Sequence, residues 1–190
     1  VMIDTSGEGL HKRGYRVVSN DAPLKETLAA SLLKLSRLRS DGHLIDPFCG
    51  SGTLLVEGAL MAYHIAPGLH RSFTAETWAN LPEKLWQEER ERARSLERRD
   101  AAFHGDGFDI DPAAVELSLA NAKKAGVEKA VSVRVRDIRD FTQDDVYGCV
   151  VCNPPYGERL LDLKQAEELY QVMGKVFHSK RGWSFGIITP

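Results

Sequence analysis

Short apolar runs alternate along this chain with stretches of helical periodicity, and each run stops at a polar or turn-forming residue. His43-Leu44-Ile45 stops at Asp46, a run ending in Phe108 stops at Asp109, Val131–Val135 is followed by Asp137, and Tyr147–Cys152 runs into Asn153. Trp183–Thr189 reads as a fifth strand. Between these runs the pattern predicts helices over 53–61, 113–125 and about 165–177. A further helix is expected after the cap-plus-proline start Asn20-Asp21-Ala22-Pro23, with Leu24, Leu28, Leu32 and Leu35 on one face. Strands alternating with helices predict an α/β fold with a mostly parallel sheet covered on both faces.

At 190 residues and 43% hydrophobic content, the chain can build one domain with a sizeable core. Residues 1–20 read as a linker or hairpin segment, opening with a strand that enters a turn, and 21–190 as the main domain. A charged helical insertion is expected at about 67–100, held by a thin stripe of Trp78, Leu81, Leu85 and Leu96. Its arginines, Arg90, Arg92, Arg94, Arg98 and Arg99, either coat a solvated helix or face a polynucleotide, and interleaved Glu83, Glu88, Glu89, Glu91 and Glu97 leave that choice open.

The formal net charge of -2 lacks the strong positive field of a self-sufficient nucleic-acid binder. Three cysteines, no apolar leader and no membrane-length run point to a soluble protein of a reducing compartment, the cytoplasm, with no membrane partner. Cys149 and Cys152 have C-x-x-C spacing, but residues three apart on a strand point to opposite faces, so no metal is expected there.

In an open parallel sheet, ligands bind beyond the carboxyl ends of the strands, where strand order reverses. The chemistry-bearing residues fall at those ends. Asp46-Pro47-Phe48-Cys49-Gly50-Ser51-Gly52-Thr53 joins the first strand to a helix, and its glycines let backbone approach a ligand closely. No lysine follows Gly52, which argues against a triphosphate-binding loop. Asp109 is placed to accept hydrogen bonds from both hydroxyls of a ribose, or else serves as a turn carboxylate; Asp111, before Pro112, suits the helix-capping role better. Asp137 is a candidate acceptor for an adenine amino group, with Ile110 and Ile138 on the faces of the ring. Together these ends describe a site for an adenosine-containing cofactor.

Asn153-Pro154-Pro155-Tyr156 is the sharpest signal. Two prolines at a strand end fix the backbone with its carbonyls exposed as acceptors. An exocyclic amine of guanine or adenine is a poor nucleophile, because its lone pair is delocalised into the ring. If Asn153 Oδ1 and the Pro154 carbonyl accept its two N–H groups, the nitrogen is drawn toward tetrahedral geometry and its developing positive charge is stabilised. Tyr156 supplies a face for stacking an extruded base. A structural Pro-Pro turn capped by Asn153 is the plainer alternative.

These two motifs resemble those of the amino-methyltransferases of nucleic acids. More narrowly, Asp4-Thr5-Ser6-Gly7, Leu10-His11-Lys12-Arg13-Gly14-Tyr15-Arg16 and Ala22-Pro23-Leu24-Lys25-Glu26-Thr27-Leu28-Ala29 make the chain similar to RNA methylases that carry an N-terminal THUMP domain. Their best-studied relatives methylate guanine N2 in large-subunit ribosomal RNA, and similar sequences are often labelled adenine-specific DNA methylases. The resemblance implies a Rossmann-like methyltransferase sheet, S-adenosylmethionine (SAM) as cofactor, and ribosomal RNA or its precursor particle as partner. It also implies that the chain lacks the THUMP domain and a final antiparallel hairpin. By the same resemblance Asp46 to Thr53 cradle the methionine part, Asp109 binds the ribose, Asp137 contacts the adenine, and Asn153 to Tyr156 hold the target base, with Asn153 also bordering the cofactor. The rival readings are a DNA adenine methyltransferase and, in another class, a SAM- or nucleotide-binding module without catalysis.

Overall fold

The computed structural model describes residues 2–17, 24–155 and 163–189. Strands β1 (His43–Asp46), β2 (His104–Asp109), β3 (Val131–Val135), β4 (Gly148–Cys152) and β5 (Trp183–Ile187) form one sheet in the order β3-β2-β1-β4-β5. Every neighbouring pair is parallel. The helices among the described residues are α1 (Glu26–Leu35), α2 (Thr53–Ala62), α3 (Glu83–Ser95), α4 (Pro112–Lys124) and α5 (Leu163–Val176). The chain steps outward from β1 to β3, then returns to the other flank of β1 as β4, so strand order reverses between β1 and β4. This is the expected α/β, Rossmann-like architecture, with a parallel sheet.

Side chains alternate across the sheet and divide the core in two. Leu44, Val131, Val133, Cys149 and Val151 pack with Leu33, Leu55, Val56 and Ala122 of α1, α2 and α4. Ile45, Phe108, Val150 and Cys152 pack with Met173 of α5. The two C-x-x-C cysteines thus lie on opposite faces, as the strand period predicts. In α2 every residue but Met61 is buried, which is the pattern of a helix enclosed on all sides. Its one charge, Glu57, accepts from Tyr15 Oη at 3.1 Å and pairs with Arg13 at 3.5 Å.

Two local expectations near the amino end are corrected. On α1 the buried residues are Glu26, Ala29 and Leu33, while Leu28 and Leu35 are exposed. The helix is turned by a partner that its own periodicity does not reveal: Arg16 Nε lies 2.7 Å from Glu26 Oε1 and draws that carboxylate inward. The signal Asn20-Asp21-Ala22-Pro23 lies outside the described residues. Residues 2–17 form turns with no strand, because Asp4 Oδ1 accepts from the Ser6 and Gly7 amides and Arg71 binds the Gly9 carbonyl.

The charged insertion is helical, as expected, but α3 buries none of its residues fully, and Leu85 and Leu96 are exposed. Its inner row is Trp86, Arg90 and Ala93, with Trp86 stacked on Phe73 at 5.7 Å. Arg90 is bound to Glu76 and to the Arg71 carbonyl, Arg92 to Glu89, and Arg99 to Glu97 and the Gly126 carbonyl. Three of the five arginines are therefore held within the domain. Among the described residues no helix is long and apolar enough to cross a membrane.

Candidate active site

The loop from Asp46 to Thr53 leaves the end of β1 beside the reversal of strand order, and its shape follows from how its polar groups are satisfied. Gly50 and Gly52 adopt φ of +50° and +75°, a region that disfavours side chains. At Gly52 a Cβ would also meet Ser118 Oγ at 2.9 Å, so α4 can approach only because no side chain is there. Ser118 Oγ donates to the Gly50 carbonyl at 2.7 Å and Asn121 Nδ2 to the Ser51 carbonyl at 2.9 Å. The Gly52 amide donates to the Cys49 carbonyl at 2.7 Å. From the other side, Arg16 reaches Ser51 Oγ at 3.2 Å and Thr53 Oγ1 at 3.1 Å.

Ser118, Asn121 and Arg16 are thus positioning residues that the sequence reading missed. Helical spacing puts Ser118 and Asn121 on one face of the predicted helix, but nothing in the sequence pairs that face with the loop.

Asp46 is 2% exposed and accepts from the Phe48 amide at 3.2 Å. Burial pushes its carboxyl up to about 8, against the pull of that amide, and the negative charge of Asp109 adds to the rise. Pro47, Ser51 and Thr53 are buried, and Phe48 packs at the edge of the α5-side core. Cys49 is buried as well; burial, with Asp46 nearby, pushes its thiol up, so it is no thiolate nucleophile.

At the end of β2, Asp109 accepts from the Gly50 amide through Oδ2 at 2.9 Å and from the Asp111 amide through Oδ1 at 3.0 Å. It ties the glycine loop to the β2 turn, and each oxygen keeps a further lone pair for a ligand hydroxyl. Asp111 caps α4 through the Ala113 amide, the role expected of it. Ile110 is 72% exposed. Ile138 is 7% exposed within the α5-side core, so of the two isoleucines Ile110 presents its side chain outward. Asp137 accepts from the Arg139 amide and guanidinium, and this pairing holds its carboxyl down at about 2.

Asn153 follows β4 directly, on the other flank of the reversal. Its Oδ1 is buried and has no hydrogen-bond partner among the described residues. Pro154 is fully buried and Pro155 partly so, which fixes the backbone that carries the amide. Tyr156 lies outside the described residues. A buried acceptor without a donor costs about 1–3 kcal/mol, so such groups are uncommon in folded proteins.

The arrangement has close counterparts. The chain is 40% identical over 189 residues to the Bacillus subtilis (strain 168) protein named "Putative RNA methyltransferase YpsC", covering all of this chain and 49% of that protein. The crystal structure of a "predicted N6-adenine-specific DNA methylase" from Listeria monocytogenes str. 4b F2365 superposes with a TM-score of 0.90 at 43% identity, over 97% of this chain and 48% of that one. SMU.472, described as "a putative methyltransferase complexed with SAH", matches with the same TM-score and coverages at 40% identity. The chain thus spans about half the length of the relatives it matches. Residues 13–189 match the family model described as "RMKL-like, methyltransferase domain", and the chain belongs to that family.

Proposed function

We propose that this domain transfers a methyl group from SAM to the exocyclic amine of a base in RNA, guanine N2 of large-subunit ribosomal RNA. The observation that carries the reading is the buried Oδ1 of Asn153 at the end of β4, which has no hydrogen-bond partner among the described residues. It is a hydrogen-bond acceptor beside the glycine loop and across the strand-order reversal from Asp46 and Asp109. The relative SMU.472 was solved with SAH, and the glycine loop, Asp109 and exposed Ile110 supply the backbone, carboxylate and apolar surface that an adenosine and its amino-acid tail require.

SAM supplies an electrophilic methyl group on a sulfonium. The chain's own residues align the nucleophile: Asn153 Oδ1 and the Pro154 carbonyl accept the two N–H groups of the amine, which localises its lone pair and stabilises charge developing on the nitrogen. No strong base is required, since the methylated amine is acidic and gives its proton to water. Tyr156 serves as the stacking face for the extruded base. RNA capture is shared with the THUMP domain that the resemblance implies, in keeping with a net charge of -2.

The test is nucleoside mass spectrometry of ribosomal RNA and genomic DNA from cells with and without the full-length gene, complemented by wild type or Asn153→Ala. The expected result is loss of one methylated guanosine from large-subunit RNA, restored by wild type alone, with the variant's SAM affinity within a few-fold of normal. Loss of methyladenine from DNA with RNA unchanged would replace the RNA reading by the activity in the Listeria protein's description. Full restoration by Asn153→Ala would remove the role given to that amide.

A further inference from the structure

At the opposite end of the strands from the glycine loop, three metal-ligating side chains converge. His43 and His104 begin β1 and β2 and are paired across the sheet, and Asp106 lies two residues beyond His104 on the same face. One ligand atom from each falls within 4.8 Å of the other two. His43 Nε2 is 2.8 Å from Asp106 Oδ2, and His104 Nε2 is 3.3 Å from Asp106 Oδ1. The other ring nitrogen of His43, Nδ1, is bonded to Asp145, on the segment that leads into β4.

A neutral imidazole carries one N–H. With a carboxylate at each ring nitrogen, His43 as an imidazolium donates to both Asp145 and Asp106, and a cation bound at Nε2 would take the place of the second proton. That is the arrangement around a metal-bound histidine, whose outer nitrogen is oriented by a second carboxylate while the inner one binds the ion. Tetrahedral Zn–N and Zn–O bonds of about 2.0–2.1 Å set neighbouring ligand atoms roughly 3.3 Å apart; the 3.3 Å from His104 to Asp106 has that spacing, and the 2.8 Å hydrogen-bond contact of His43 with the other carboxylate oxygen would open as a metal replaces the proton.

We propose that His43 Nε2, His104 Nε2 and the Asp106 carboxylate form a binding site for a divalent transition-metal cation of the zinc class, with Asp145 orienting His43. Two imidazoles and one carboxylate suit zinc better than magnesium or calcium, which take oxygen ligands. The ion would join β1, β2 and the entry to β4 at their amino ends, as a staple remote from methyl transfer. A further cation beside Asp106 is Arg134, whose Nη2 lies 3.2 Å from Oδ1. Its side chain is 61% exposed and can swing into solvent, so Arg134 competes with the metal instead of completing the site.

The test uses untagged protein, titrated with Zn²⁺ by calorimetry and with Co²⁺ by visible absorption. One equivalent should bind saturably, with intense Co²⁺ ligand-field bands of tetrahedral type. His104→Ala, at a half-exposed position that folding tolerates, and Asp106→Asn should each weaken it at least about tenfold, and Asp145→Asn by about tenfold. Arg134→Ala, which removes the competitor, should bind more tightly than wild type. Absence of saturable binding below about 1 mM Zn²⁺, or one-equivalent binding unchanged in His104→Ala and Asp106→Asn, would overturn the site.

Discussion

Replacing Asp46 by Asn should stabilise the domain, and by an amount that depends on pH. In the folded protein the carboxyl is 2% exposed and titrates near about 8 rather than 3.8, so near neutral pH it is protonated when folded and ionised when unfolded. A carboxyl raised by folding contributes fully below its unfolded value, and that contribution is lost as pH rises toward the folded value. Each pH unit in this window costs about 1.4 kcal/mol. Wild type should therefore lose roughly 3 kcal/mol between about pH 5 and about pH 7.5 through this group alone.

Asparagine has the shape of the protonated acid and keeps an oxygen for the Phe48 amide, so Asp46→Asn escapes the loss. Urea unfolding of both proteins at the two pH values measures the difference. The variant should be modestly changed at the lower pH and more stable by about 2–4 kcal/mol at the higher, the range reflecting coupling to Asp109. An equal effect at both pH values, or destabilisation that grows with pH, would show that the buried carboxylate is already ionised. The same variant should bind SAM more weakly, because the cationic amino-acid end of the cofactor loses the charge it would draw out of Asp46.

Arg16→Ala strips the partner from buried Glu26 and the clamp from Ser51 and Thr53. It should cost ~3 kcal/mol by denaturant unfolding and raise the SAM dissociation constant. Adding Glu26→Gln should recover stability without recovering SAM affinity, and recovery of both would deny Arg16 its hold on the loop. Gly52→Ala should cost about 2 kcal/mol, since a Cβ there meets Ser118 Oγ at 2.9 Å in addition to the φ of +75°. Gly50→Ala, with nothing within 4 Å, should cost about 1 kcal/mol; equal losses would mean that contact with α4 does not shape the loop.

Strand positions were legible because period-two patterns and abrupt polar stops are local: Val131–Val135 and the ends at Asp46, Asp109 and Asn153 are found where the pattern puts them. What the sequence hid was long-range. The inner face of α1 depends on Arg16, ten residues before Glu26, and the inward row of α3 is set by the Phe73–Trp86 stack, while the more apolar Leu85 and Leu96 stay outside. The loop's supports Ser118 and Asn121 lie more than sixty residues away along the chain. His43 and His104 become neighbours only through the β1–β2 register, which no local signal encodes. Within the candidate site, the motif identified Asn153, whereas the burial of its Oδ1 with no partner among the described residues is a property of the fold.

The division of the cysteines has a use beyond excluding a redox pair. Cys49 and Cys149 belong to the layer under α1, α2 and α4, and Cys152 to the layer under α5. All three thiols are free and buried, and each is held above its ordinary value by burial. The protein therefore carries native reporters of breathing on each side of its sheet. The rate at which each thiol becomes modified, followed residue by residue, gives the opening free energy of that side separately, and shows which one a bound nucleoside holds shut.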